Sequence, residues 1–192
     1  MKRLAIASLI FFGPAIAVAA NQSDLEKLLA LKQSSQPTSL DLSHADLRNY
    51  PFIPGKIDLQ HANISHSNLA GVDLSKMNLA GVDFSYTDLS GAKLNQVNLA
   101  GANLEHANLN GAQIQESNLA NANLSKALLI GANLQHSDFK NADFTCANLK
   151  EADLTKSNFA AANISGTSFI NTITNDVAGY DSVIDTKLEC TS

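Results

Sequence analysis

The sequence has few cysteines, few basic residues and none of the spacings that usually announce chemistry. Basic residues number 13 against 18 acidic ones, and no basic run occurs anywhere. A formal net charge of −5 is the opposite of the electrostatic footprint of a nucleic-acid binder. No Ser–His–Asp spacing, glycine-rich phosphate loop or carboxylate cluster stands out, so the pattern points away from an enzyme and from a bound cofactor. Cys146 and Cys190 are the only two cysteines. An oxidising compartment would let them pair.

The compartment is suggested by the first twenty residues. Lys2 and Arg3 precede an apolar run from Leu4 to Ile16, broken by Ser8, Gly13 and Pro14, and Ala17-Val18-Ala19-Ala20 follows. A positive start, an apolar middle and small residues at a cleavage point describe a secretory signal peptide at 1–20. An uncleaved anchor is the alternative, since the run approaches the ~20 residues that span a bilayer. Pro14 and the small-residue end favour cleavage, leaving no stable membrane insertion. No cysteine follows the run, which argues against a bacterial lipoprotein. Cleavage removes two basic residues and no acid, taking the charge from −5 to −7.

What the chain does contain is a five-residue period. From Leu59 to Phe169 a Leu, Ile or Phe stands at every fifth position, twenty-three in succession. Two residues before most of these centres sits a small or modest side chain, such as Ala62, Ser67, Val72, Ala102 or Ala112. Immediately before them stands mostly Asn or Asp, as in Ala102-Asn103-Leu104 and Ala152-Asp153-Leu154. A period of five fits neither a 3.6-residue helix nor an alternating strand. It fits a chain that turns a corner in every repeat and stacks strand-like coils about 4.8 Å apart. Each centre contributes about 1.5–3 kcal/mol gross on burial, so stacking itself supplies the core.

These A(D/N)LXX repeats resemble the pentapeptide-repeat family, over about Leu42 to Phe169. The resemblance implies an all-β fold, a right-handed quadrilateral β-helix with four repeats per coil. The residues two after each centre support an even number of repeats per coil. His66, Lys76, Tyr86, Gln96 and His106 alternate with Gly71, Gly81, Gly91 and Gly101, and Asn121 and Asn141 continue the glycine series. Gly and Asn tolerate positive φ, so alternate corners are expected to need that conformation.

The repeat breaks at both ends. Leu42, Leu47, Phe52 and Ile57 keep the five-step, yet Leu59 follows Ile57 by two. The prolines of Tyr50-Pro51-Phe52-Ile53-Pro54-Gly55 mark a bulge or outward loop near 50–58. Upstream, Ser23-x-x-Glu26 resembles a capping box. Leu25, Leu28, Leu29 and Leu31 then predict a short capping helix within 21–37, ended by Pro37. The Cys-x-x-Cys of some exported relatives has no counterpart at 34–39. The rod is placed at 38–170, and 171–192 forms a C-terminal capping tail in which Val177, Tyr180, Val183, Ile184 and Leu188 supply apolar surface.

The exceptions within the repeat attract functional attention. Leu128 replaces the usual Asn or Asp, Ile130 points outward, and Ile170 falls on the same face two coils above. Together they form a candidate interaction patch beside Cys146. Either the tail covers it, pinned by a Cys146–Cys190 disulfide, or it is an oligomer interface with free or intermolecular thiols. A blander candidate face stacks Ala80, Ala100, Ala120 and Ala160 beside Asn78, Asn98, Asn118 and Asn158. His61, His66, His106 and His136 occupy outward corners on different edges or coils. His66 and His106 share an edge but lie two coils apart, too far for one ion, so no metal site is assigned. The Asp residues before the centres exchange with Asn, as at Asn78 and Asp83, which general acid–base work would not tolerate.

The reading is therefore an exported scaffold, a monomer or homodimer, that binds an unknown protein of the cell envelope and neither nucleic acid nor cofactor. The compartment expected is a periplasm, with a thylakoid lumen or the outside medium as alternatives. The family resemblance also implies a second function, since some cytoplasmic members mimic DNA and protect type II topoisomerases from quinolones. The signal peptide and modest charge disfavour it. Ice or polysaccharide binding is disfavoured because the threonines do not align.

Overall fold

Every repeat has five backbone N–H groups to satisfy, and their destinations define the architecture. In the repeat beginning at Leu89, the N–H groups of Leu89 and Gly91 donate upward to the carbonyls of Asn108 and Asn110, at 2.7 and 2.9 Å. That of Lys93 donates downward to Val72 at 2.9 Å, and that of Ala92 closes a turn onto Leu89 at 3.0 Å. Ser90 is left over by this ladder, and its N–H goes to Oδ1 of Asp88 at 3.0 Å. The account is complete.

The computed structural model describes residues 40–48, 50–179 and 190. Over them the chain winds as a four-sided β-helix. Parallel bridges join residues 20 apart, as in Asp88 to Asn108 and Asn108 to Leu128, which makes four five-residue repeats per coil. Among the described residues these bridges are isolated. A side that turns a corner every five residues is too short for the continuous strands that strand-like coils imply.

The same bookkeeping explains the Asn/Asp position. Oδ1 of the residue before the centre accepts the N–H two residues on, as in Asn68 to Ala70 at 3.1 Å, Asp83 to Ser85 at 2.9 Å and Asn123 to Ser125 at 3.0 Å. Asn and Asp share that oxygen, so either serves. Asn adds an amide that reaches the coil below, building ladders such as Asn118 to Asn98 and Asn98 to Asn78 at 3.3 and 2.9 Å.

Inside, the centres stack in four columns. Leu59, Leu79, Leu99, Leu119, Phe139 and Phe159 line the first side, and Ile64, Phe84, Leu104, Leu124, Phe144 and Ile164 the second. Leu69, Leu89, Leu109, Leu129 and Leu149 line the third, and Leu74, Leu94, Ile114, Leu134 and Leu154 the fourth. Small residues fill the angles between them, where a buried serine must find partners. Ser117 Oγ donates to the carbonyl of Leu94 at 2.7 Å and accepts the N–H of Val97 at 3.2 Å. In the upper coils Phe139, Phe144 and Phe159 form an aromatic cluster with ring centroids 4.9–5.3 Å apart.

The corners differ from the sequence expectation. Positive φ is not confined to alternate corners: Lys76, Gln96 and Glu116 adopt it at 64°, 58° and 55°, just as Gly71, Gly91 and Gly111 do. The upward hydrogen bond of the corner N–H, such as Tyr86 to Glu105 at 2.9 Å, imposes one turn on every edge. It offsets the roughly 1–2 kcal/mol that a side chain costs there. Glycine answers a second demand at only some corners. A Cβ on Gly179 would meet the backbone of Ala160 at 2.7 Å, whereas one on Gly81 would meet only the movable imidazole of His61.

At the lower end, Asp41 bridges Asn63 and Asp46 bridges Asn68, offsets of 22 rather than 20. The two extra residues are taken up by an exposed turn at 53–56, while Phe52 stays in the core. At the upper end the coil does not stop at 170. Asp153 bridges Ile173 and Asn158 bridges Ala178, so the ladder continues although Thr174 stands where a large centre belongs. Backbone pairing needs no large side chain, and Thr167 and Thr172 tie the coil down by donating to the carbonyls of Phe144 and Leu149, each at 2.7 Å. The expected signal peptide at 1–20, the expected capping helix within 21–37 and residues 180–192 other than Cys190 lie outside the described residues.

Candidate functional site

Because the interior and the turns account for the repeat, the outward residues that depart from it are the informative ones. Leu128 sits on the third side at an Asx position and is 42% exposed. A leucine there cannot accept the Ile130 N–H, which instead goes to Oδ1 of Asn110 on the coil below at 2.8 Å. The fold thus absorbs Leu128 without needing it.

Ile130 is half-buried on the edge between the third and fourth sides, and Ile170, 60% exposed, occupies the same edge two coils higher. The rung between them holds Asn148 and Lys150, the latter 3.4 Å from Glu151. The three apolar residues therefore do not form one unbroken stripe. Ile173, which the sequence reading missed, lies on the fourth side in register with Asp153 and is 46% exposed. It fills an Asx position, so the rule that singles out Leu128 finds it once the repeat is carried past Phe169.

Cys146 occupies the edge between the second and third sides and is joined to Cys190, with Cα atoms 5.7 Å apart. Cys190 Sγ also lies 3.6 Å from the carbonyl of Gly166, one coil above Cys146 on that edge. The bond ties a point 44 residues along the chain back onto the edge between the second and third sides.

Below the disulfide, the same edge carries an aromatic ladder. His44, His66, Tyr86 and His106 stack with ring centroids 4.7–4.9 Å apart and interplanar angles of 3–12°. His66 and His106 share an edge two coils apart, as the sequence indicates, and Tyr86 fills the rung between them. His44 joins the ladder because of the 22-residue offset, which a strict five-step count conceals. His61 and His136 stand on other edges. Among the described residues no group of three or more His, Cys, Asp or Glu side chains is placed to hold a metal ion.

The ionisable groups with displaced pKa values have structural explanations. The Arg48 guanidinium donates to Asp46 and holds its carboxyl below the usual value, and the Ser75 hydroxyl and N–H do the same for Asp73. At Asp153 burial pushes upward most strongly, but the hydroxyl and N–H of Thr155 and the amide of Gln135 together win, and the pKa falls. Burial raises that of Tyr50. A cavity of about 360 Å³ opens beside the exposed turn, lined by Gly55, Lys56, Ile57, Asp58, Gln60, Met77 and Asn78. Its charged groups are one lysine and one aspartate, and the rest of its lining is amide, glycine and apolar. Among the described residues no helix is long and apolar enough to cross a membrane.

No curated protein matches the chain. Among solved structures it is similar to a pentapeptide repeat protein from the Arabidopsis thaliana thylakoid lumen, at 32% identity and a TM-score of 0.33, covering 53% of this chain and 64% of that one. The chain thus spans just under two thirds of that protein. It is also similar to HetL, a pentapeptide repeat protein involved in heterocyst differentiation regulation in the cyanobacterium Nostoc sp. strain PCC 7120. There the identity is 26% and the TM-score 0.32, over 80% of this chain and 92% of that one. A third similar structure is trypsin-treated QnrB1, a plasmid-mediated fluoroquinolone resistance protein, at 15% identity and a TM-score of 0.39, over 62% and 82%. The family model for pentapeptide repeats matches in eight copies, over residues 57–96, 92–129, 107–145, 122–160 and 137–173. The chain belongs to the pentapeptide-repeat family, whose members are right-handed β-helices serving as repeat scaffolds or interaction proteins.

Proposed function

We propose that this protein is an exported, non-catalytic scaffold that docks a protein of the cell envelope on the outer face of its upper coils. The observation that carries the reading is Leu128. It occupies a position where Asn or Asp would complete the turn, gives up that hydrogen bond and leaves an apolar side chain 42% exposed. A fold-neutral departure of this kind is what a binding surface requires. Ile170 and Ile173 add a second apolar spot higher up, at the edge between the third and fourth sides and on the fourth side. Export is supported by the sequence of residues 1–20 and by the Cys146–Cys190 bond, which an oxidising compartment maintains.

Substitution toward the repeat tests the docking surface without injuring the rod. Wild-type protein and a Leu128→Asn, Ile173→Asn double variant would be cross-linked in intact cells of the native source. The reading expects a specific adduct with wild type that the variant loses while keeping its melting temperature. Equal adducts from both proteins would overturn it. Fractionation with thiol counting under denaturing, non-reducing conditions tests export. Cytoplasmic recovery with two reactive thiols per chain would contradict it.

A further inference from the structure

Taking Leu128 as a docking surface, we propose that the partner protein presents to it an extended acidic segment. One face of that segment carries an apolar side chain and, two residues away, a carboxylate. The outward residues on the rung of Leu128 are Lys126, Leu128 and Ile130, while Ala127 and Leu129 between them are buried. Two apart is the spacing at which an extended peptide presents successive side chains on one face. Leu128 is exposed and Ile130 half-buried, so the middle and one end of the rung are apolar.

The other end of the rung is a cation. Lys126 is exposed, and the ion pairs among the described residues join Arg48 to Asp46, His106 to Glu105 and Lys150 to Glu151, leaving Lys126 without a carboxylate. A second donor comes from the coil above, where Asn148 stands in register with Leu128. Elsewhere such an asparagine donates its amide to the coil below, as Asn108 does to Asp88 at 3.1 Å and Asn118 to Asn98 at 3.3 Å. Asn148 meets a leucine there, and among the described residues its amide N–H groups have no acceptor. The residue that exposes an apolar side chain thus also releases the donor above it. A carboxylate accepts from Lys126 and Asn148, while the neighbouring apolar side chain covers Leu128 and Ile130. The net charge of −5 does not oppose this at close range. Asp88, the nearest carboxylate in the Leu128 column, lies two coils down, about 10 Å away by the stacking distance. That exceeds the ~8 Å screening length of physiological salt.

The experiment is selection from a random-peptide display library by the full oxidised chain, followed by fluorescence anisotropy of the selected peptides. Enriched sequences should carry Asp or Glu two residues from Leu, Ile or Phe. Lys126→Glu keeps the corner, because Glu116 and Glu151 already hold that conformation at φ of 55° and 60°. It should weaken these peptides about fivefold or more and redirect selection toward Lys or Arg in place of the acid. Leu128→Asn should weaken them about tenfold or more, whereas Lys140→Glu, on the edge between the first and second sides, should change nothing. Enriched peptides that lack an acid yet are lost on Leu128→Asn would overturn the acidic partner and leave Leu128 a docking residue. Enrichment indifferent to Leu128→Asn would overturn both. Failure to enrich any peptide, or capture by phosphatidylglycerol vesicles in place of peptides, would overturn the acidic segment as the occupant. Circular dichroism of each variant verifies that the rod is intact.

Discussion

The lower and upper coils share one backbone ladder yet differ inside and out. Below, the core is mostly aliphatic with two separate large aromatics, Phe52 and Phe84, and the edge between the second and third sides is a stack of His44, His66, Tyr86 and His106. Above, Phe139, Phe144 and Phe159 fill the interior, the edge passes to Lys126 and the Cys146 disulfide, and Leu128, Ile170 and Ile173 break the polar surface. The hydrogen-bond pattern of a repeat is the same in both. Structure therefore resides in what the coils have in common, and function is sought where they part.

The largest effect that would sharpen this contrast lies in the aromatic cluster. Phe144→Ala should cost about 3–5 kcal/mol, read by chemical denaturation, because the cavity cannot collapse between fixed rungs. Phe144→Leu, which restores the lower-coil core, should cost much less. Equal losses would mean that the upper core is no more specifically packed than the lower.

Breaking the disulfide comes next. Reduction, or Cys146→Asn, should remove about 3–4 kcal/mol by freeing the 44-residue loop. Solenoid coils contact mainly their neighbours, so hydrogen exchange should quicken at 144–178 and stay unchanged below 105. Uniform quickening along the rod would instead indicate one cooperative unit.

A smaller effect separates the turn residues from the exception to them. Asn123→Ala deletes the acceptor for the Ser125 N–H and should cost roughly 0.5–1.5 kcal/mol in thermal unfolding. Tyr86→Ala interrupts the ladder and should cost on the order of 1 kcal/mol. Smaller still is the acid response. Asp73 and Asp153 have lowered pKa values in the folded state, so the stability they lend is fully present above the usual carboxylate value of 3.8. It is lost as pH falls below that value through the folded-state pKa. Asp73→Asn, which keeps Oδ1, should flatten this response in melting curves below pH 4.

Much of this architecture is legible in the sequence, because the period of five is enforced by stacking: each centre column from Leu59 to Phe159 repeats one environment. The offset at 50–58 and the exposed exception at Leu128 are legible for the same reason, as departures from a strict rule. The corners are less so. Side-chain preference suggests two kinds of turn, but the vertical hydrogen bonds of residues such as Lys76 and Glu116 override it. The approach of His44 to His66 is hidden by the two-residue insertion, and the coil ending at Ala178 is hidden by Thr174, where pairing persists without a large centre.

The central claim is that Leu128 departs from the repeat for a purpose other than folding. Thermal unfolding of Leu128→Asn in the oxidised protein tests it directly. Restoring the Asx acceptor should leave the protein at least as stable as wild type, by up to about 1 kcal/mol. A loss of more than about 1 kcal/mol would show that Leu128 is held in the folded chain as part of its structure, and would contradict the account.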